Sequence, residues 1–122
     1  MNPGDVHWVE FPAGAGRAQA GRRPAIVVQS DETSRRIPTV LVIPLTTRQD
    51  ALRFPGTVLV EPDTQNGLKH PSVALVFQLT AIDSKFLGSI LGSVSSEVLQ
   101  SIWIAFDEIT GRNLGSGPPA LP

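Results

Sequence analysis

Two short, almost unbroken apolar runs constrain this chain more than any other feature: Ala25-Ile26-Val27-Val28-Gln29 and Thr39-Val40-Leu41-Val42-Ile43-Pro44-Leu45. Both are rich in β-branched residues and too short for stable helices. Strands without polar alternation must be covered on both faces, so the pair predicts the centre of a small barrel or strongly curved sheet. Pro44 has no N–H to give a ladder, which predicts an edge or bulge there and an exit from the sheet at Thr46-Thr47-Arg48. Hydroxyls at such an exit are accessible, although their commonest use is to cap a turn.

Partners for these strands lie on either side. Val6–Phe11 has the composition of a first strand after the Pro3-Gly4 turn, with His7 and Glu10 as its solvent-facing positions. Gly56–Val60 is a short strand, and Asn66-Gly67 is a strong turn signal. Ser72–Leu79 reads as a largely buried strand, continued by Thr80–Asp83, and Gly88–Val94 as a brief last one. Gln78 is the polar exception in its run, and a buried amide there is either a structural bracket or a ligand contact. One helix follows, with Ser95 as N-cap, Glu97 in the first turn, Val98, Ile102, Phe106 and Ile109 at helical spacing, and Gly111 as its stop beside Arg112. Leu99, Trp103 and Ile104 widen its apolar face, which serves either the core or a second partner such as another subunit. The pattern is α+β, mainly β, in one domain over residues 1–112, with a disordered tail over 113–122.

The absence of cysteine removes disulfides, thiol nucleophiles and thiolate metal sites, and a reducing cytoplasm is the simpler home. No stretch of roughly 18 apolar residues suits a membrane. A formal net charge of -1 gives no bulk attraction to nucleic acid, yet residues 17–53 hold seven arginines against Asp31, Glu32 and Asp50. Folding either gathers that basic zone into a polyanion site or divides it between faces. A glycine- and alanine-rich segment, residues 12–21, reads as a mobile surface loop and runs into Arg22-Arg23-Pro24. The residue before a proline is held in extended geometry, so Arg23 has a defined backbone, and a positioned guanidinium is a natural phosphate clamp. The alternative is an ordinary pair of surface arginines. His7 and His70 stand in no metal-ligand spacing and read as incidental surface residues, and Gly14 and Gly16 precede neither a lysine nor a helix, so no metal or cofactor is expected.

In order and spacing, several segments together resemble the MazF/PemK family of toxins from bacterial toxin–antitoxin pairs. They are Gly4-Asp5-Val6, Gln19 through Pro24 with Val27-Val28, Pro38-Thr39-Val40, Pro44-Leu45-Thr46, Gln78 with Ile82-Asp83, and Gly92 through Glu97. The resemblance implies a small SH3-like, CcdB/MazF-type barrel with a C-terminal helix and a homodimer. It also implies a cognate antitoxin and metal-independent cleavage of single-stranded RNA at short motifs. It places Arg23 and Thr46 at the scissile phosphate as catalytic residues, with Arg22, Gln78 and Gln19 as RNA-binding residues. Three polar groups that relatives use are replaced here by Ala18, Phe77 and Thr80. These departures leave room for a second reading, a catalytically weak or silent binding module that engages antitoxin, RNA or a protein target such as gyrase.

Overall fold

A computed structural model describes residues 1–12 and 21–112. Among them lie seven strands and two helices: β1 (Asp5–Phe11), β2 (Gly21–Val27), α1 (Asp31–Ser34), β3 (Thr39–Thr46), β4 (Thr57–Val60), β5 (Ser72–Leu75), β6 (Thr80–Asp83), β7 (Leu87–Ser93) and α2 (Ser96–Thr110). The strands form an antiparallel sheet in the order β4-β5-β3-β2-β1-β7, with β6 added to β3. Such a sheet curls like a barrel without closing. The loop expected over residues 12–21 lies mostly outside the described residues, and the expected tail lies wholly outside them.

The unbroken apolar runs are explained by two cores on opposite faces of the curled sheet. Val6, Ile26, Ile43, Leu45, Val60, Ala74 and Val76 pack on one face with Ile102 and Ala105 of α2. Val9, Phe11, Ala25, Val27, Val40, Val42 and Ile82 fill the other. Alternate residues of β2 and β3 therefore both need apolar side chains. Helix α2 begins and ends as its sequence predicts: the Ser95 side chain accepts from the Val98 N–H, and Gly111 closes it at φ 80°. Of its apolar spacing, Ile102 is buried, whereas Ile109 is 38% exposed.

Several expectations need correction. β2 starts at Gly21 and ends at Val27, because Gly21, Arg22, Arg23 and Pro24 pair with Phe11, Glu10, Val9 and Trp8 of β1. Proline is thus inside the strand, not at its start. Gln29 lies beyond the strand, buried, and donates to the Thr39 carbonyl and accepts from the Leu41 N–H. The polar run after it contains the short helix α1, capped by Ser30. The apolar stretch Ser72–Leu79 is not one strand: β5 stops at Leu75 and a 3-10 turn covers Val76–Gln78. Pro44 is on a central strand, not an edge. β3 pairs with β6 through Thr39–Val42 and with β5 through Leu45 and Thr46, so Pro44 falls in the gap where the partner changes. His7 is half-buried, its Nδ1 2.9 Å from the Gly88 carbonyl oxygen and its Nε2 buried without a partner among the described residues, whereas Glu10 is exposed.

Candidate active site

Two prolines decide where the β2–β3 ladder ends. Its pairs are Val27–Val42, Ile26–Ile43 and Ala25–Pro44, and pairing stops there. Pro24 follows on β2 and Pro44 is already the last partner on β3, so neither strand can supply that N–H to extend the ladder. Carrying the register two residues further sets Arg23 across from Thr46. Strand alternation puts both side chains on the face of Ala25, Val27 and Val42. The two segments singled out from sequence thus both leave the same ladder end, Arg23 two residues beyond Ala25 on β2 and Thr46 two beyond Pro44 on β3, where Thr46 pairs with Val73 of β5.

Each side chain retains unused bonding capacity. Arg23 is half-buried, and its Nε is buried with no hydrogen-bond partner among the described residues. A buried guanidinium N–H without an acceptor is costly unless a ligand supplies one. Thr46 is 6% exposed. Its Oγ1 accepts from the Arg48 N–H at 3.2 Å, which fixes the oxygen and leaves the hydroxyl proton to donate. The turn-cap role is thus realised, whereas the accessibility expected at this exit is not: Thr46 is buried, reached only from the cleft it lines, and Thr47 is the exposed hydroxyl.

Thr46 also lines a cleft of about 220 Å³ with Arg48, Asp50, Arg53, Phe77 and Gln78. Gln78 ends the 3-10 turn after β5, and its buried Oε1 has no partner among the described residues. Of the two readings its sequence allowed, the structural bracket needs bonds that this oxygen does not make. Arg22 is not beside Arg23: alternation turns it to the opposite face, where its guanidinium lies 4.4 Å from the centre of the Trp8 ring. Gln19 lies outside the described residues, as does Ala18. His70 borders a different cleft with Trp8, Pro24, Leu68 and Lys69. Asp83 plays a local role, capping the next 3-10 turn through the Lys85 N–H. Sequence reasoning did not single out Arg48, Asp50, Arg53 and Phe54 as site residues. The exit after Pro44 was the available signal, because whatever follows an exit from the sheet borders it.

The basic zone is divided. Arg23, Arg48 and Arg53 belong to the Thr46 side, Arg22 to the Trp8 side, and Arg35 forms an ion pair with Asp31.

A curled antiparallel sheet with one C-terminal helix agrees with comparisons to known proteins. The family described as "PemK-like, MazF-like toxin of type II toxin-antitoxin system" matches residues 2–110, and the chain belongs to it. The Endoribonuclease MazF of Staphylococcus saprophyticus is 29% identical over 107 residues, covering 88% of each chain. MazF from Deinococcus radiodurans superposes with a TM-score of 0.77 at 23% identity, covering 91% of this chain and 96% of that one. A mycobacterial endoribonuclease solved in complex with its cognate antitoxin gives 0.72 at 21% identity, over 91% and 95%. These two superpositions establish the fold.

Proposed function

We propose that this chain is an endoribonuclease toxin that cleaves single-stranded RNA at short sequence motifs. In the reaction a ribose 2′-oxygen bonds to the adjacent phosphorus and loses its proton. The bond from phosphorus to the 5′-oxygen breaks, and that oxygen takes up a proton. The products are a 2′,3′-cyclic phosphate and a 5′-hydroxyl. Negative charge grows on the equatorial oxygens of the phosphorane, where a preorganised guanidinium and hydroxyl lower the barrier. Arg23 supplies the charge and Thr46 donates its proton to orient the phosphate, while Gln78 and Gln19 hold RNA; Arg22, turned to the opposite face against Trp8, takes no part in this cleft. The reaction uses no metal.

What carries this reading is the placement of Arg23 and Thr46 on one sheet face, each two residues beyond the last β2–β3 pair, with the Arg23 Nε buried and without a hydrogen-bond partner among the described residues. Family membership and the relative named as an endoribonuclease support it. A homodimer, residence in the cytoplasm and inhibition by an acidic segment of a cognate antitoxin complete the reading. The exposed Ile104 and Trp103 of α2 offer apolar surface to a second subunit. The rival, a silent binding module, draws on Phe77 standing where relatives use an acid. Incubating the purified protein with RNA in excess chelator separates the two. Cleavage with cyclic phosphate ends, lost in Arg23→Ala, is the expected result, and binding without cleavage would favour the module.

A further inference from the structure

Phe54 and Phe77 are 43% and 42% exposed although their rings touch, with centroids 5.7 Å apart at 59°. Both line the Thr46 cleft, whose floor is Leu75 and Ala51. Two apolar rings left in water beside such a floor are a surface awaiting a partner. The rim is cationic: Arg48 and Arg53 share the single Asp50 carboxylate at 3.3 and 3.8 Å, which leaves a net charge of +1 over the three. Gln78 lines the same cleft, and its buried Oε1 is an acceptor with no donor among the described residues.

Each observation narrows what can fill the space. A bare phosphate would leave the aromatic faces wet and gives Gln78 no N–H. An aliphatic side chain would cover the rings and leave Gln78 unmet. A flat ring with N–H groups on its edge and an anionic tether meets all three conditions, and a nucleotide has that chemistry. Arg53 already lies 4.8 Å over the ring of Phe54, so Phe77 offers the freer face.

We propose that this cleft seats one nucleobase of the RNA, stacked on Phe77, with an edge N–H donating to Gln78 Oε1 and with Phe54 and Arg53 as the side wall. Because Thr46 borders the same cleft, the seated base belongs to a nucleotide next to the scissile phosphate, and the inference rests on the RNA-cleavage reading above. The aromatic side chain that replaces an acid at position 77 thereby becomes a determinant of which RNA is cut. The exposed rings are a specificity element.

The test moves a single abasic nucleotide through the positions flanking the cut in a short RNA and measures single-turnover cleavage. In the wild type, one position beside the cut slows cleavage roughly five- to a hundredfold when its base is removed. Phe77→Leu slows the intact RNA by a similar factor and no longer responds to the abasic site, while Phe77→Tyr restores the wild-type response. Phe77→Leu cutting intact RNA at the wild-type rate, or the two losses multiplying, would overturn the proposal. So would a change of oligomeric state in Phe77→Leu during sedimentation, since the rings would then be a subunit contact. A parallel binding series uses the same RNA with a 2′-deoxy nucleotide at the cut. It tests the seat even if the wild type cleaves nothing, a result that would count against the cleavage reading alone.

Discussion

Arg22 and Arg23 are neighbours in sequence and opposites in structure, and that contrast sets what each substitution should do. Arg23, on the Thr46 face, has a buried Nε without a partner among the described residues, whereas Arg22 is committed to the Trp8 ring. Arg23→Lys preserves the charge and loses the planar fork of donors. Loss of one preorganised donor typically costs a factor of about 10²–10³ in kcat, so Arg23→Lys should fall in that range with an unchanged melting temperature. Thr46→Ser should remain close to wild type and Thr46→Val should lose activity like Arg23→Lys; single-turnover cleavage of one oligonucleotide ranks all three. A second residue-scale effect concerns acid. The terminal ammonium of Met1, hydrogen-bonded to the carboxylate, and Arg35 hold Asp31 below the usual carboxylate range. A depressed folded value means the stabilisation is present above the unfolded value of about 4 and fades as pH falls through the folded one. Asp31→Asn should therefore show a shallower loss of melting temperature below about pH 4 than the wild type.

At the scale of elements, the strands whose side chains make them strands were legible, and those made by their neighbours were not. β3 and α2 followed from β-branched density, helical spacing and the Ser95 and Gly111 caps. Residues Gly21-Arg22-Arg23 carry no strand signature, yet pairing with β1 extends β2 over them. Conversely, the apolar letters Val76 and Phe77 continue the pattern of β5 while the backbone coils into a 3-10 turn that delivers Gln78 to the cleft. Pro24 and Pro44 were legible as marks near Arg23 and Thr46, and the structure puts both prolines at the end of the β2–β3 ladder; the aromatic wall was hidden because Phe54 lies far from Phe77 in sequence. The turn at Asn66-Gly67 was read correctly, but its tolerance is tighter than a turn signal conveys. A Cβ at Gly92 would meet the Gln65 backbone oxygen at 2.0 Å, and one at Gly67 the Leu91 oxygen at 2.3 Å. These are backbone atoms that cannot swing aside, so Gly92→Ala should destabilise by about 2 kcal/mol or more, comparable to other overpacking changes. Thermal or urea unfolding measures it, and wild-type stability in Gly92→Ala would show that β7 and the turn separate easily.

For the molecule as a whole, the charge is nearly balanced and its cations are dispersed, so attraction to RNA has to come from the site itself. The net formal charge is -1, Arg22 is turned to the other face, and Arg35 is held by Asp31. Among the described residues, Arg48 and Arg53 line the Thr46 cleft and share Asp50, and Arg23 lies on the same sheet face as Thr46. An RNA bound there displaces counterions at about three phosphates at most. For single strands the slope of log affinity against log salt is about −0.7 per phosphate contact, which predicts a slope near −2 for the wild type. Asp50→Asn frees two guanidiniums from their shared carboxylate and should raise affinity at low salt, with little change at high salt where exposed charges are screened. Fluorescence anisotropy with an uncleavable 2′-deoxy-substituted oligonucleotide gives both numbers. A slope much steeper than −2 would mean that the RNA runs beyond this cleft onto further cations, including those a second subunit contributes. A slope near −2 would leave base stacking, rather than charge, as the larger part of the affinity.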